Sequence, residues 1–363
     1  MLSNSKLKVG TFTDHIFTPS SRFRVRQYFR YLVDHGVVIR DYGRKYSTET
    51  VVVNNAGQRI RHSILLVAKA ILHESANVIG RFRDVVDSNG VDVLWLSRQL
   101  IIGYPSFELL IKKPLVYDID DAIFFTGRGA YSQFKISAKK ACAVIAGNSF
   151  LADEAEKYCQ NVHIVPTAVD ANYWVPLDCL TRKARTKEDV FRIGWSGTSS
   201  SFNCLILIQR VIGRFLRDFP NSRLIVMADR FPSELSELGS DIEFVKWSSR
   251  VEVDFVQSLD VGLMPLVDDG WSRGKCAYKM LLYAACGIPM VATPLGANKG
   301  ILDEADVGFG PRREGEWYEA LSALSADAEL RKRCGANGVK LVRDCYSVDV
   351  WAPRIEGILR QAV

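Results

Sequence analysis

Three stretches of the chain combine residue types that can do chemistry. The first covers residues 271–296, WSRGKCAYKMLLYAACGIPMVATPLG, and reads as a polar glycine loop, a helix, a Gly-Ile-Pro turn and a short strand. A helix beginning at Lys275 would set Ala277, Met280, Leu281 and Ala284 on one face and Lys275, Lys279 and Leu282 on the opposite one. Cys286-Gly287 ends that helix, Pro289 stops its continuation, and Met290-Val291-Ala292 is apolar enough for a buried parallel strand. A glycine loop, a helix start and two ammonium groups together suit a phosphate. The plainer expectation is two lysines on a solvated helix face.

The second stretch is Tyr117-Asp118-Ile119-Asp120-Asp121, at the end of a strand pattern over 114–119. Asp118-Ile119-Asp120 spells a D-x-D metal motif. Three residues carry little information, however, and the two carboxylates point the same way only if the strand runs through them. Asp120 and Asp121 at a strand end could hold hydroxyls or take a proton, whereas Asp118 is expected to cap the next turn or meet solvent. The third stretch is Ser20-Ser21-Arg22-Phe23-Arg24-Val25-Arg26. On a helix Arg22 and Arg26 would share a face with Arg24 elsewhere, so at most two of them meet one ligand, and a solvated basic face is the alternative.

These groups need a frame, and the hydrophobic pattern supplies one. Strands are predicted over 7–12, 37–40, 91–96, 114–119, 143–146 and 162–166, and again over 191–195, 223–227, 242–245, 261–264 and 290–292. Amphipathic helical runs separate them, including 22–35 and 60–86. Such alternation predicts parallel sheets with helices on both faces, and ligands in such sheets bind outside the carboxyl ends of the strands. Gly197-Thr198-Ser199-Ser200-Ser201 follows the 191–195 strand and would offer backbone N–H groups to a phosphate. No basic residue follows it before Arg210, so Lys275, Lys279 and Arg273 are expected to bring the positive charge. Residues 171–190 lose periodicity and read as a linker. Residues 308–344 read as helical, and a last helix runs to about 358.

At 363 residues the chain is long enough for two such units. Its net charge of +6 is uneven: residues 1–168 carry 22 basic against 15 acidic side chains, the remainder 25 against 26. A basic half suggests an anionic partner, of which nucleic acid, an anionic membrane surface and a phosphorylated acceptor are the classes. No zinc-finger, RRM or KH signature supports nucleic acid. The eight cysteines form no C-x-x-C pair and no metal-ligand spacing with the five histidines, so free thiols in a reducing compartment and no metal are expected. The first residues lack a signal-peptide core, and no apolar run is long enough to span a bilayer. The expectation is a cytoplasmic protein, peripheral at the inner face of the membrane.

Gly274-Lys275, Lys279 and Ala285-Cys286-Gly287-Ile288-Pro289 resemble the donor segment of the family 4 glycosyltransferases. The YDIDD segment at 117–121, Ala146-Gly147-Asn148-Ser149, Ile164-Val165-Pro166-Thr167 and Val169-Asp170 resemble that family too. The resemblance implies the GT-B fold, two doubly wound Rossmann-like α/β domains facing a cleft. An acceptor-binding domain would cover 1–168, a donor-binding domain 169–345, and a C-terminal helix over 346–363 would cross back to the first. The implied activity is a retaining, metal-independent transfer of a sugar from a nucleotide-diphosphate sugar to a glycan or lipid-linked acceptor. The nucleotide sugar would be a co-substrate, with no cofactor and no nucleic acid. Lys275 would stabilise the leaving group, with Asp120 and Asp121 as the other catalytic candidates. Gly197, Thr198, Ser199, Arg273, Gly274, Lys279 and Leu282 would hold the donor and Trp247 would stack on its base. Ser21, Arg22, Arg24 and Asn148 would bind the acceptor. Relatives carry two glutamates at the positions of Gly274 and Leu282, and this chain has neither. A non-catalytic relative serving as a binding or scaffolding subunit is therefore the rival reading, ahead of an epimerase or hydrolase on the same donor site.

Overall fold

The computed structural model describes residues 6–45, 64–101, 106–177 and 190–363. The first residues of the predicted 60–86 helix and residues 178–189 of the predicted linker lie outside the described residues. The chain divides into two compact units, Met1–Pro166 with Ala352–Val363, and Thr167–Trp351. The helix Val348–Gln361 has residues in both.

The first unit is built on a six-stranded sheet in the order β2-β1-β3-β4-β5-β6. Its strands are β1 (Lys8–Thr13), β2 (Val38–Gly43), β3 (Val93–Ser97), β4 (Leu115–Ile119), β5 (Ala143–Ala146) and β6 (Val162–Ile164). All neighbours pair in parallel. The runs VLWLS, LVYDI and AVIA of β3, β4 and β5 are buried at every position, as central strands covered on both faces must be. The edge strands β2 and β6 remain partly exposed.

The second unit repeats the plan in the order β12-β11-β10-β7-β8-β9, again parallel throughout. It uses β7 (Phe191–Ser196), β8 (Ser222–Ala228), β9 (Ile242–Lys246), β10 (Val261–Met264), β11 (Met290–Ala292) and β12 (Gly308–Phe309). In each sheet the chain first builds outward in one direction, then returns to the centre and builds the other way. The order reverses between β1 and β3 in one sheet and between β7 and β10 in the other. Such switch points open a crevice at the carboxyl ends of the strands.

Two expectations change here. Residues 308–344 are not one helical pattern: they open with β12, followed by the helices Glu314–Ala326 and Ala328–Leu341. Gly308 adopts φ +146°, and a Cβ there would fall 1.9 Å from the Met290 carbonyl oxygen, so only glycine lets this edge strand close on β11. The predicted 22–35 helix is broken into a wide turn at Ser21–Val25, a tight one at Arg26–Tyr28 and a regular helix only over Phe29–Asp34. Arg24 points inward from the wide turn while Arg26 reaches Asp41. All seven described cysteines are free, and five are buried.

Candidate functional site

Lys279 lies at the switch point of the second sheet. It projects from the helix Tyr278–Ala285 and sets its ammonium 4.3 Å from the centre of the Trp195 ring, near the end of β7. A Cβ on Gly197 would lie 2.6 Å from the Lys279 Nζ and 2.5 Å from the indole, so the strand end is bare to admit both. The two segments singled out for a phosphate, the Gly197 loop and the 275–279 lysines, thus meet. Part of the Lys279 side chain still reaches solvent, but its charged end rests on an apolar ring. Burial, reinforced by the nearby Lys275 charge, pulls the Lys279 pKa down to about 7. Among the described residues no carboxylate pairs with it.

The helix carrying Lys279 begins later than the sequence suggests. Ala277 adopts φ +53°, ψ 22°, a left-handed conformation rare for a non-glycine residue, and helical geometry starts only at Tyr278. Lys275 therefore belongs to the preceding loop, with its ammonium 5.3 Å from the Trp271 ring centre. Gly274 closes a short helix, Gly270–Arg273, whose first turn is capped by Asp269 accepting from the Ser272 N–H at 2.7 Å. The expected phase fails at Leu282. That side chain is 7% exposed and packs in the same core as Met280, Leu281 and Ala284, so it does not share an open face with the lysines. With the helix pressed on both sides, Lys279 reaches the end of β7, and Tyr283 donates its hydroxyl to the Leu263 carbonyl of β10 at 3.4 Å.

The remaining donor-side candidates have mixed positions. Of the Gly197 loop, the Gly197 N–H goes to the Met227 carbonyl and the Ser201 N–H to that of Thr198. The Ser199 N–H and hydroxyl both donate to the Asp229 carboxylate, at 2.6 and 2.8 Å. Thr198 and Ser200 join hydroxyls at 2.7 Å. The loop is thus fastened by the protein's own carboxylate, which leaves fewer N–H groups for a phosphate than the sequence suggested. Trp247 is half-buried, and its indole donates to Glu252 at 2.6 Å. Arg273 is exposed and paired with Asp268 at 2.7 Å.

The first sheet presents a different arrangement at its own switch point. Arg98, directly after β3, holds φ 64° and forks between two carboxylates, bonding Asp120 at 2.7 Å and also Asp121. Burial would weaken the guanidinium, but the aspartates outweigh it and raise its pKa. Burial likewise pushes the Asp120 carboxyl up, and Arg98 more than reverses this, leaving it below the ordinary range. A lowered carboxylate accepts hydrogen bonds well and abstracts protons poorly. Beneath them Asp118, 1% exposed, neither caps a turn nor meets solvent. It takes Arg24 at 2.9 Å and the Trp95 indole N–H at 3.1 Å. Burial lifts its pKa to about 6, although Arg24 pulls against the rise.

Arg24 is accordingly corrected from an acceptor ligand to an interior group. It is 2% exposed, and it also donates to the Val165 carbonyl at 2.7 Å. Asn148 is also a structural group in this geometry, since it accepts the Leu151 N–H at 3.0 Å and caps the helix Ser149–Glu156. Ser21 is fully buried and accepts from the Thr18 hydroxyl at 2.8 Å. Arg22 stays half-exposed, with its guanidinium 4.5 Å from the Phe23 ring centre. Sequence reasoning missed Arg98, Trp195 and Asp229. Each stands in a signal that was available, a charged or aromatic residue at or just past a strand end. Among the described residues no three His, Cys, Asp or Glu side chains converge to hold a metal, and no helix is long and apolar enough to cross a membrane.

No protein-family model matches the sequence, and comparison with curated proteins gives no match. Solved structures do match along the whole chain. HepE of Anabaena, solved with UDP and glucose, is 13% identical with a TM-score of 0.66, covering 98% of this chain and 100% of that one. Sucrose-phosphate synthase from Thermosynechococcus elongatus is 13% identical with a TM-score of 0.70 and 98% of both chains covered. WaaG, a glycosyltransferase involved in lipopolysaccharide biosynthesis, is 12% identical with a TM-score of 0.64, covering 97% and 99%. Two parallel six-stranded sheets with flanking helices, matched from end to end by these structures, give this chain the GT-B fold.

Proposed function

We propose that this protein is a glycosyltransferase whose second unit binds a nucleotide-diphosphate sugar, with Lys279 meeting the diphosphate. The observation that carries the reading is an ammonium held on Trp195 at the β7 strand end with no carboxylate paired to it, in a fold whose solved examples include complexes with UDP and UDP-glucose. An anion placed there gains the full charge of Lys279 and relieves its repulsion with Lys275. As the bond to the sugar breaks, negative charge grows on the departing diphosphate, and a donor already in position stabilises it without reorganisation. Attack by an acceptor hydroxyl on the same face, with retention, needs no protein nucleophile and accords with carboxylates pinned by Arg98. Membership of family 4, independence from metal ions and a glycan or lipid-linked acceptor belong to the same proposal. Lys275 takes a supporting role from its loop.

The rival reading of a non-catalytic binding subunit is favoured by one observation. Asp120 and Asp121 are both committed to Arg98, which leaves no obvious acceptor base. Thermal shift across a panel of nucleotide-diphosphate sugars, followed by turnover with those that bind, separates the readings. A matched ligand at a hundredfold excess over its dissociation constant stabilises by about 2.7 kcal/mol. Binding with no release of nucleotide diphosphate toward any acceptor favours the subunit, and no binding by any member removes the donor site.

A further inference from the structure

Asp229 is the first residue past β8, and it stands between two other strand ends of the second sheet. On one side the Gly197 N–H, just after β7, donates to the Met227 carbonyl at 3.0 Å. On the other the Trp247 N–H, just after β9, donates to the Ala228 carbonyl at 2.8 Å. Neighbouring strands lie about 4.8 Å apart. The carboxyl edge of the sheet thus presents Lys279 at the end of β7, Asp229 at the end of β8 and Trp247 at the end of β9. An ammonium, a carboxylate and an indole in that sequence match the order of phosphate, ribose and base along a nucleotide.

The middle position selects its ligand group by chemistry. Asp229 is exposed, and its neighbour Arg230 turns to Glu234 at 3.0 Å. Among the described residues no ammonium or guanidinium pairs with Asp229. Its carboxylate is held by the Ser199 N–H and hydroxyl at 2.6 and 2.8 Å. An ionised carboxylate has about four acceptor positions, so about two remain. A phosphate cannot use them, because it too is an anionic acceptor. Two vicinal hydroxyls can, because each brings a donor. Sheets that bind dinucleotides place an acidic residue after a strand and glycine turn for the ribose hydroxyl, and Asp229 follows β7, the Gly197 loop and β8 in that way. Leu282, expected beside the lysines, is buried and offers a ribose no polar group. We infer that Asp229 binds the ribose diol of the donor, which makes this protein selective for ribonucleotide over 2′-deoxyribonucleotide donors. The inference rests on the donor reading proposed above.

The test is calorimetry with UDP, GDP and ADP, each beside its 2′-deoxy counterpart, and with inorganic pyrophosphate. The parent should bind a ribonucleotide more tightly than its deoxy form by on the order of tenfold or more. Asp229→Ala should remove that preference and weaken the ribonucleotide on the order of ten- to a hundredfold. Pyrophosphate should bind the same variant at least as tightly as the parent, because a negative charge has left the neighbourhood of the phosphates. Asp229→Asn keeps an oxygen for the Ser199 N–H and should retain only part of the preference. A carboxylate that merely fastens the Ser199 loop gives another pattern: ribonucleotide, deoxynucleotide and pyrophosphate all weaken by one factor and the preference survives. That pattern, or a parent that binds ribo and deoxy forms alike, overturns the inference and leaves the donor site standing. A folded parent that binds neither pyrophosphate nor any nucleotide removes the donor reading itself, and this inference with it.

Discussion

The two sheets reverse at their centres in the same way, and near each reversal there are a cation and a left-handed non-glycine residue. Their electrostatics are opposite. In the first unit the cation is itself the strained residue, Arg98, and it is clasped by Asp120 and Asp121 above a second closed pair, Arg24 with Asp118. In the second unit Lys279 follows the strained Ala277, faces Lys275 and has an indole beneath it in place of a carboxylate. In the first arrangement each of these two cations has carboxylate partners in its own unit. The second carries an ammonium whose burial and neighbouring Lys275 charge are unfavourable, and under the proposed function the binding of a diphosphate would relieve that cost.

The sharpest way to break this contrast is to give the second site a carboxylate of its own. Leu282→Glu would do so if Leu282 lay beside the lysines, but its side chain sits in the core. The expected result is a loss of about 4 kcal/mol or more, enough to unfold a marginal domain, read as a lowered urea midpoint. A folded variant with altered nucleotide affinity would instead put Leu282 back at the site. Next in size, Lys279→Met should reduce kcat/KM with a matched nucleotide sugar by on the order of 10²–10³, while the folded state survives. Near-normal turnover would make Lys279 a bystander.

The frame of this contrast was legible in the sequence, and the pairing of its charges was not. The strands over 143–146, 261–264 and 290–292 coincide with β5, β10 and β11, because continuous apolar runs bounded by glycine or proline have few other uses. The two segments expected to gather around a phosphate do meet at Gly197 and Lys279. What failed was phase and direction. A helix beginning at Lys275 was plausible by spacing, but the left-handed turn at Ala277 is not encoded by any residue that favours it. Leu282 therefore moved to the core. Arg24 looked like a surface base because its partner Asp118 lies 94 residues away, and such a pair becomes visible only when β4 is set beside the first loop. Part of the basic excess of the first 168 residues is paired inside the unit, and those partners too were out of view in the sequence. Arg24, Arg26, Arg44 and Arg81 pair with carboxylates and carbonyls of their own unit.

The pH dependence of the second site sharpens the comparison further. Lys279 has a folded pKa near 7, well below its unfolded value. The unfolded chain thus holds more protons between about pH 7 and 10, and this residue makes stability rise with pH across that window. Lys279→Met should lose that rise and be at least as stable as the parent at pH 7. An intact nucleotide-diphosphate sugar selects the ammonium form. Its affinity should be level below pH 7 and fall by up to about tenfold, or about 1.4 kcal/mol, per pH unit above it. Calorimetry between pH 6 and 9 checks this, and a flat profile in the parent would mean that Lys279 does not meet the ligand.

The smallest effect expected is at the rim of the first sheet, where completeness predicts a structural role and no titration in catalysis. Asp120 is depressed in the folded state below its ordinary value of 3.8. Its contribution to stability is therefore fully present above the unfolded pKa and disappears as pH falls through the folded one. Asp120→Asn leaves Arg98 still paired with Asp121, and Arg98 is partly solvated, so the loss at neutral pH should be only about 1 kcal/mol. Urea melts of parent and variant should differ by that amount at pH 7 and converge as pH falls through the folded pKa of Asp120. Under the proposed function, the pH–rate profile of the variant should keep the parent's shape at reduced height, because a carboxylate lowered in this way is already ionised near neutral pH. If Asp120→Asn instead abolishes turnover together with the acidic limb of the profile while stability is untouched, Asp120 is the acceptor's base, and the first site is no more self-contained than the second.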